Sequence, residues 1–219
     1  MTTTKDSKIS KPTKKPFSKF NLDDAYQALQ IRRLLPWDLQ AKPIGPSEIF
    51  QTYLKRIQHN FDLTRSEDSK KLVVDLVFIE AIEPFPNLKV WKGARLESDI
   101  AKGAADYLIT ENMGYITSPM LCVVEAKKDD FEQGLAQCLI EMQACQWNNQ
   151  KAGRSIDILG IVTNGDSWQF YKLTTTNKVY ETPRHDLINL PIILGILNTI
   201  FRDCDNSLTV APLQPSISI

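Results

Sequence analysis

Met120-Leu-Cys-Val-Val-Glu125-Ala-Lys127-Lys-Asp-Asp130 decides the reading of this chain. Five residues of strand character run into a Glu-x-Lys pair, after which the sequence turns polar. Side chains alternate across a strand, so Glu125 and Lys127 share a face with Val123. The apolar run predicts a buried strand. A carboxylate and an ammonium at its end stand at the rim of a sheet, where desolvation is costly unless charges are paired or bind something. Chemistry is therefore sought there.

Upstream, Leu88–Glu97 alternates like a strand, and Ala105–Thr110 predicts a short one carrying Asp106 just inside its start, after Gly103-Ala-Ala. Leu72–Ile82, with a charged entry and a stop at Pro84, reads as a buried helix despite its β-branched residues. Downstream, Asp130 to about Asn148 carries a helical pattern through Phe131, Leu135, Cys138, Leu139 and Met142. Ile156–Thr163 and Ser167–Leu173 flank Asn164-Gly165, a strong hairpin signal. Thr176–Glu181 extends that sheet and Leu187–Phe201 closes the chain as a helix. The order helix, three strands, helix, two strands predicts an α/β fold with a mixed central sheet flanked by helices.

Toward the N-terminus, Asn21 caps a helix expected to run to Arg33, with Pro36 as its stop, and a second helix starts at Ser47. Residues 1–20 hold six lysines against one aspartate, a composition read as a disordered basic tail. Residues 21–69 then form an N-terminal helical extension packed on the core, residues 70–205 the main domain, and residues 206–219 an irregular tail.

The chain has 219 residues, 42% apolar and 24% charged, with zero formal net charge. That is ordinary for a globular protein and excludes a polybasic class, so any nucleic-acid surface is a local patch. The four cysteines form no CxxC pair, which predicts reduced thiols and a cytoplasmic location. No membrane span is expected, since the longest apolar stretch, Leu187–Phe201, contains Pro191. His59 and His185 stand alone, and no Ser-His-Asp order, phosphate loop or dinucleotide fingerprint is present.

Asp106, Glu125 and Lys127 converge as one candidate site. Two carboxylates on adjoining strands make a hard-oxygen pair suited to Mg²⁺ or Mn²⁺. Such an ion polarises a phosphate oxygen, and a lysine beside it stabilises developing negative charge or orients the attacking water. This is the equipment of phosphodiester hydrolysis.

On Asp106, Glu125-Ala-Lys127 and the helix Asp130-Phe-Glu-Gln-Gly134-Leu-Ala-Gln137, the chain resembles the PD-(D/E)XK nuclease superfamily. Val162-Thr-Asn-Gly-Asp-Ser-Trp168-Gln-Phe-Tyr171 is similar to a hairpin in the N-terminal nuclease domains of type I restriction enzyme R subunits. The resemblance spans roughly residues 70–175 and departs at Ala105, where the family name has Pro, and at Glu141, where related subunits often carry Tyr four residues after Gln137. It implies a restriction-endonuclease-like fold, catalytic Asp106, Glu125 and Lys127, metal at Asp106 and Glu125, and DNA as substrate. An accessory acid is expected from the preceding helix, with Glu80 first and Glu97 and Glu83 as rivals; Gln137 is the other accessory candidate. A homodimer or a separate motor or specificity subunit are the partners it implies. The alternative is a non-catalytic DNA-binding or scaffold module that keeps the nuclease fold.

Overall fold

The apolar run ending in Glu125 is buried on both faces because it lies in the middle of a sheet. A computed structural model describes residues 14–127 and 130–209. The chain enters through a two-residue strand, β1 (Lys15–Pro16), and a 3-10 turn at Phe17–Lys19. It continues through α1 (Leu22–Leu29), β2 (Leu35–Pro36), α2 (Glu48–Asn60) and α3 (Glu67–Ile82). Three strands follow, β3 (Leu88–Glu97), β4 (Ala101–Glu111) and β5 (Met120–Ala126), then α4 (Phe131–Lys151). β6 (Ile158–Thr163), β7 (Ser167–Leu173), β8 (Val179–Glu181), β9 (His185–Asp186) and α5 (Leu190–Leu208) complete it.

The described residues therefore form an α/β fold, a mixed sheet of nine strands with five α-helices. The main path runs β1-β4-β5-β6-β7-β8-β2, with β3 on β4 and β9 on β7. β4 and β5 are antiparallel, whereas β5 and β6 are parallel. A parallel step needs a long crossover, which α4 supplies. α4 is fastened to β5 near both ends of the strand. Gln137 reaches Glu125, and Asn149 accepts the Met120 N–H and donates to the Met120 carbonyl, both at 2.8 Å. Twelve helical residues rise roughly 18 Å and five strand residues roughly 17 Å, so the two attachments match in length. Gly160 in β6 permits the close approach, since a Cβ there would stand 2.5 Å from Met142 Sδ and 2.9 Å from Cys138 Sγ.

The other face is covered by α3 and α5. Phe78 of α3 is buried among Tyr107 of β4, Trp168 of β7 and Phe201 of α5, with ring centroids 5.3, 5.8 and 6.2 Å away. Trp168 and Phe170 are core residues. The expected hairpin forms, and the Asn164 side chain accepts the N–H groups of Asp166 and Ser167.

Several boundaries differ from expectation. The basic tail does not extend to residue 20: Phe17 and Phe20 are buried, and β1 pairs with β4, because two aromatic anchors outweigh the lysines around them, Lys14, Lys15 and Lys19. Residues 1–13, expected as the rest of that tail, lie outside the described residues. α1 stops at Leu29, where Gln30 takes a left-handed φ of 56°, so Pro36 does not end it but lies in β2 beside β8. β4 starts at Ala101, which puts Asp106 in mid-strand rather than near a strand start. α5 continues through Leu208, so an irregular tail does not begin at residue 206; residues 210–219 lie outside the described residues. Pro191 occupies the first turn of α5, where its missing N–H costs nothing. It therefore does not break the segment, and Leu187–Leu208 is long and apolar enough by composition to cross a membrane, although half of it is buried within the protein.

Phe78→Ala leaves a void beneath three aromatic neighbours and is expected to cost about 3–5 kcal/mol, measured as a lowered urea midpoint.

Candidate active site

β5 carries Glu125 in on the α4 side of the sheet, where it is 1% exposed. The β4–β5 ladder ends at the Tyr107–Val124 pair, and Asp106 and Glu125 are the next residues along the two strands. Just beyond that point the strands part. Asp106 Oδ2 accepts the backbone N–H of Ala126 at 2.9 Å, tying the β4 acid to the residue between Glu125 and Lys127. Lys127 extends the strand by one residue through its N–H to the Thr163 carbonyl, 2.9 Å. Its ammonium lies 2.8 Å from Glu125 Oε1. Gly134 in the first turns of α4 makes room for this lysine: a Cβ there would meet Lys127 Cγ at 3.1 Å and Val162 Cγ1 at 2.9 Å. The three residues singled out in the sequence thus meet at one rim.

Two further groups join them. Lys71, from the first half of α3, pairs with Asp106 Oδ1 at 2.9 Å. On α4, Gln137 Nε2 donates both to Glu125 Oε2 at 2.9 Å and to Glu141 Oε1 at 3.0 Å. Glu141 has no exposure at all. Gln137 and Glu141 are four residues apart and therefore share a helical face. Sequence reasoning recorded Glu141 only as a departure from a motif, although its spacing from Gln137 placed the two together. Lys71 was missed, although it lies four residues before Asp75, whose carboxylate accepts from Tyr107 of β4 at 2.9 Å.

Burial dominates the electrostatics. It pushes the Glu125 carboxyl up to about 7; the Asp106 charge adds to the rise, and Lys127 and Lys71 oppose it without cancelling it. Burial, then Glu125, push Glu141 well above the ordinary range, against the Gln137 hydrogen bond. Burial thus disfavours the charged form of Glu141. Three buried oxygens, Glu125 Oε1, Gln137 Oε1 and Glu141 Oε2, accept no hydrogen bond among the described residues, the first meeting Lys127 as an ion pair.

The other candidate acids lie elsewhere. Glu80 is not part of the site: it accepts the Ser47 N–H at 2.6 Å and the Ser47 hydroxyl at 2.9 Å, at the head of α2. Nine residues separate it from Lys71, roughly 13 Å along the helix. Its apolar sequence neighbours misled, because α3 turns this position toward α2 and not into the core. Glu97 ends β3 opposite Lys102 and pairs with Lys14 at 2.5 Å, which holds its carboxyl below the usual range. Glu83 is exposed after the last turn of α3.

Asp106 and Glu125 suit a divalent ion in donor chemistry: two hard carboxylates brought together where β4 meets β5, the buried Glu125 having its Oε1 beside the Lys127 ammonium rather than a neutral donor. Among the described residues no group of three or more His, Cys, Asp or Glu side chains is placed to hold a metal. A pair rather than a cage is the arrangement Mg²⁺ uses when it keeps several waters.

The raised Glu125 carboxyl makes stability depend on pH. The folded chain keeps this proton to about pH 7, whereas the unfolded chain releases it near 4.5. Its contribution is complete below the lower value and is lost as pH rises through the upper one, a fall of about 3 kcal/mol. In chelator, urea midpoints are expected to drop between pH 5 and 8 for the wild type, and Glu125→Gln is expected to remove the Glu125 share of that drop and leave the shallower fall set by Glu141. No family model, curated protein or solved structure matches the chain.

Proposed function

We propose that the chain is a metal-dependent endonuclease of the PD-(D/E)XK type that hydrolyses DNA phosphodiester bonds in restriction or repair, acting in the cytoplasm. The observation that carries this reading is the Asp106 carboxylate seated on the Ala126 N–H, which draws both acids and Lys127 to one rim. The order of α3, β3–β5, α4, β6 and β7 agrees with the fold the resemblance implies.

Asp106 and Glu125 are the residues that hold Mg²⁺ or Mn²⁺. The ion, when bound, supplies Lewis-acid polarisation of a phosphodiester oxygen. Lys127 presents its ammonium to the same phosphate or to the attacking water, and the Gly134 contact sets the position of its stem. Gln137 fixes Glu125 Oε2 by donating to it, which leaves Oε1 directed to the cation side. Glu125 has to give up its proton to serve as a ligand, so metal affinity rises with pH toward about 7. The buried free thiols accord with a reducing compartment.

Supercoiled plasmid incubated with the protein and Mg²⁺ or Mn²⁺ is expected to be nicked. Asp106→Asn and Lys127→Ala are expected to lose at least about a hundredfold in rate. A gel shift without cutting in any variant favours a non-catalytic DNA-binding module instead. DNA affinity is expected to fall steeply from low to moderate salt, reflecting phosphate contacts; an affinity flat in salt speaks against nucleic acid as the ligand.

A further inference from the structure

Asp106 commits both of its oxygens. Oδ2 takes the Ala126 N–H and Oδ1 takes the Lys71 ammonium, each at 2.9 Å. The Lys71–Asp106 pair is largely shielded, with side chains 19% and 24% exposed. A divalent ion that uses Asp106 must therefore share or replace a cation already there.

Lys71 is delivered from a different element than Lys127, and its helix is pinned on both sides of it. Lys70 pairs with Asp166 in the β6–β7 turn at 3.0 Å, and Asp75 accepts from Tyr107. The start of α3 is thus held against the rim of the sheet. Lysines near a helix N-terminus gain nothing from the helix dipole, which favours anions there. A partner at the rim gives the position its use. The lysine stem is flexible, so the ammonium can move a few ångströms while the helix stays fixed.

We propose that Lys71 is a resident cation of the site, holding Asp106 in the metal-free protein and passing to a phosphodiester oxygen of the substrate when a divalent ion takes that carboxylate. The inference rests on the metal-dependent reading of Asp106 and Glu125 and assigns a second phosphate-contacting lysine to it. Two ammonium groups then flank the substrate, Lys127 from β5 and Lys71 from α3. A purely structural strap between α3 and β4 predicts the opposite behaviour toward metal, since cutting it loosens the carboxylate pair.

Mn²⁺ titration of the wild type, Lys71→Met and Lys71→Arg by calorimetry, without DNA, separates the two. Lys71→Met is expected to bind Mn²⁺ about three- to tenfold more tightly, because the competing cation is gone, and Lys71→Arg to stay near the wild type. In saturating Mn²⁺, the affinity of Lys71→Met for a phosphorothioate duplex is expected to fall about tenfold, with Lys71→Arg restoring most of it. Mn²⁺ binding by Lys71→Met no tighter than by the wild type overturns the inference and leaves the metal site standing. Tighter Mn²⁺ binding with unchanged duplex affinity overturns the hand-over to phosphate. Absence of Mn²⁺ binding in all three proteins removes the metal site itself, and this inference with it.

Discussion

A carboxylate that is 1% exposed in the middle of an apolar sheet is the constraint around which this structure is arranged. Glu125 belongs to a strand otherwise composed of Met, Leu, Cys, Val and Ala, and an isolated charge there is not sustainable. The chain meets the cost by three routes at once. Lys127 offers an ammonium to one oxygen, Gln137 an amide to the other, and the carboxyl itself takes up a proton more readily than it would in water.

The fold supplies these partners from opposite directions. Lys127 comes from the same strand, so its position follows from β5 pairing in parallel with β6 and continuing through the Thr163 carbonyl. Gln137 comes from the crossover helix that the parallel step demands, and Asn149 on that helix fixes its far end to Met120. The helix therefore cannot slide along the strand without breaking both contacts. Asp106 depends on the antiparallel side: β4 pairs with β5 only as far as Tyr107 and Val124, and Asp106 takes the N–H that the parting strands leave open. Site geometry and sheet topology are in this sense one arrangement.

The parts legible in the sequence are those set by local pattern. The Glu-x-Lys pair at the end of an apolar run, the Asn-Gly hairpin, the capped start of α1 and the helical spacing after Asp130 each carry their signal within a dozen residues, and each formed as read. The apolar run of α3 was ambiguous between helix and strand, and its length and charged entry resolved it correctly. What stayed hidden depends on which way a helix is turned. Glu80 sits among apolar neighbours in sequence, yet α3 aims it at the two donors of Ser47. Lys71 looks like one more charge at a helix start, and only the packing of Asp75 on Tyr107 brings it over Asp106. Phe17 and Phe20 sit in a lysine-rich stretch whose average composition concealed them.

Charge pairing at the rim accounts for how two acids stand close together there. Two acids, Asp106 and Glu125, face two ammonium groups, Lys71 and Lys127, while Glu141, its carboxyl raised by burial, lies behind Gln137. Each of the two acids thus has an ammonium partner within the chain. Both ammonium groups are borne on flexible stems, whereas both carboxylates are fixed by hydrogen bonds from Ala126 and Gln137. On the proposed reading, a divalent ion entering between the acids would meet ligands already held in place and displace only the ammonium groups. On that reading the rim would carry net positive charge from an ion and two lysines, and a phosphodiester is the anion whose spread of oxygens could meet all three. The cluster that makes Glu125 tolerable would then serve, by one exchange of cations, as a surface for a polyanion.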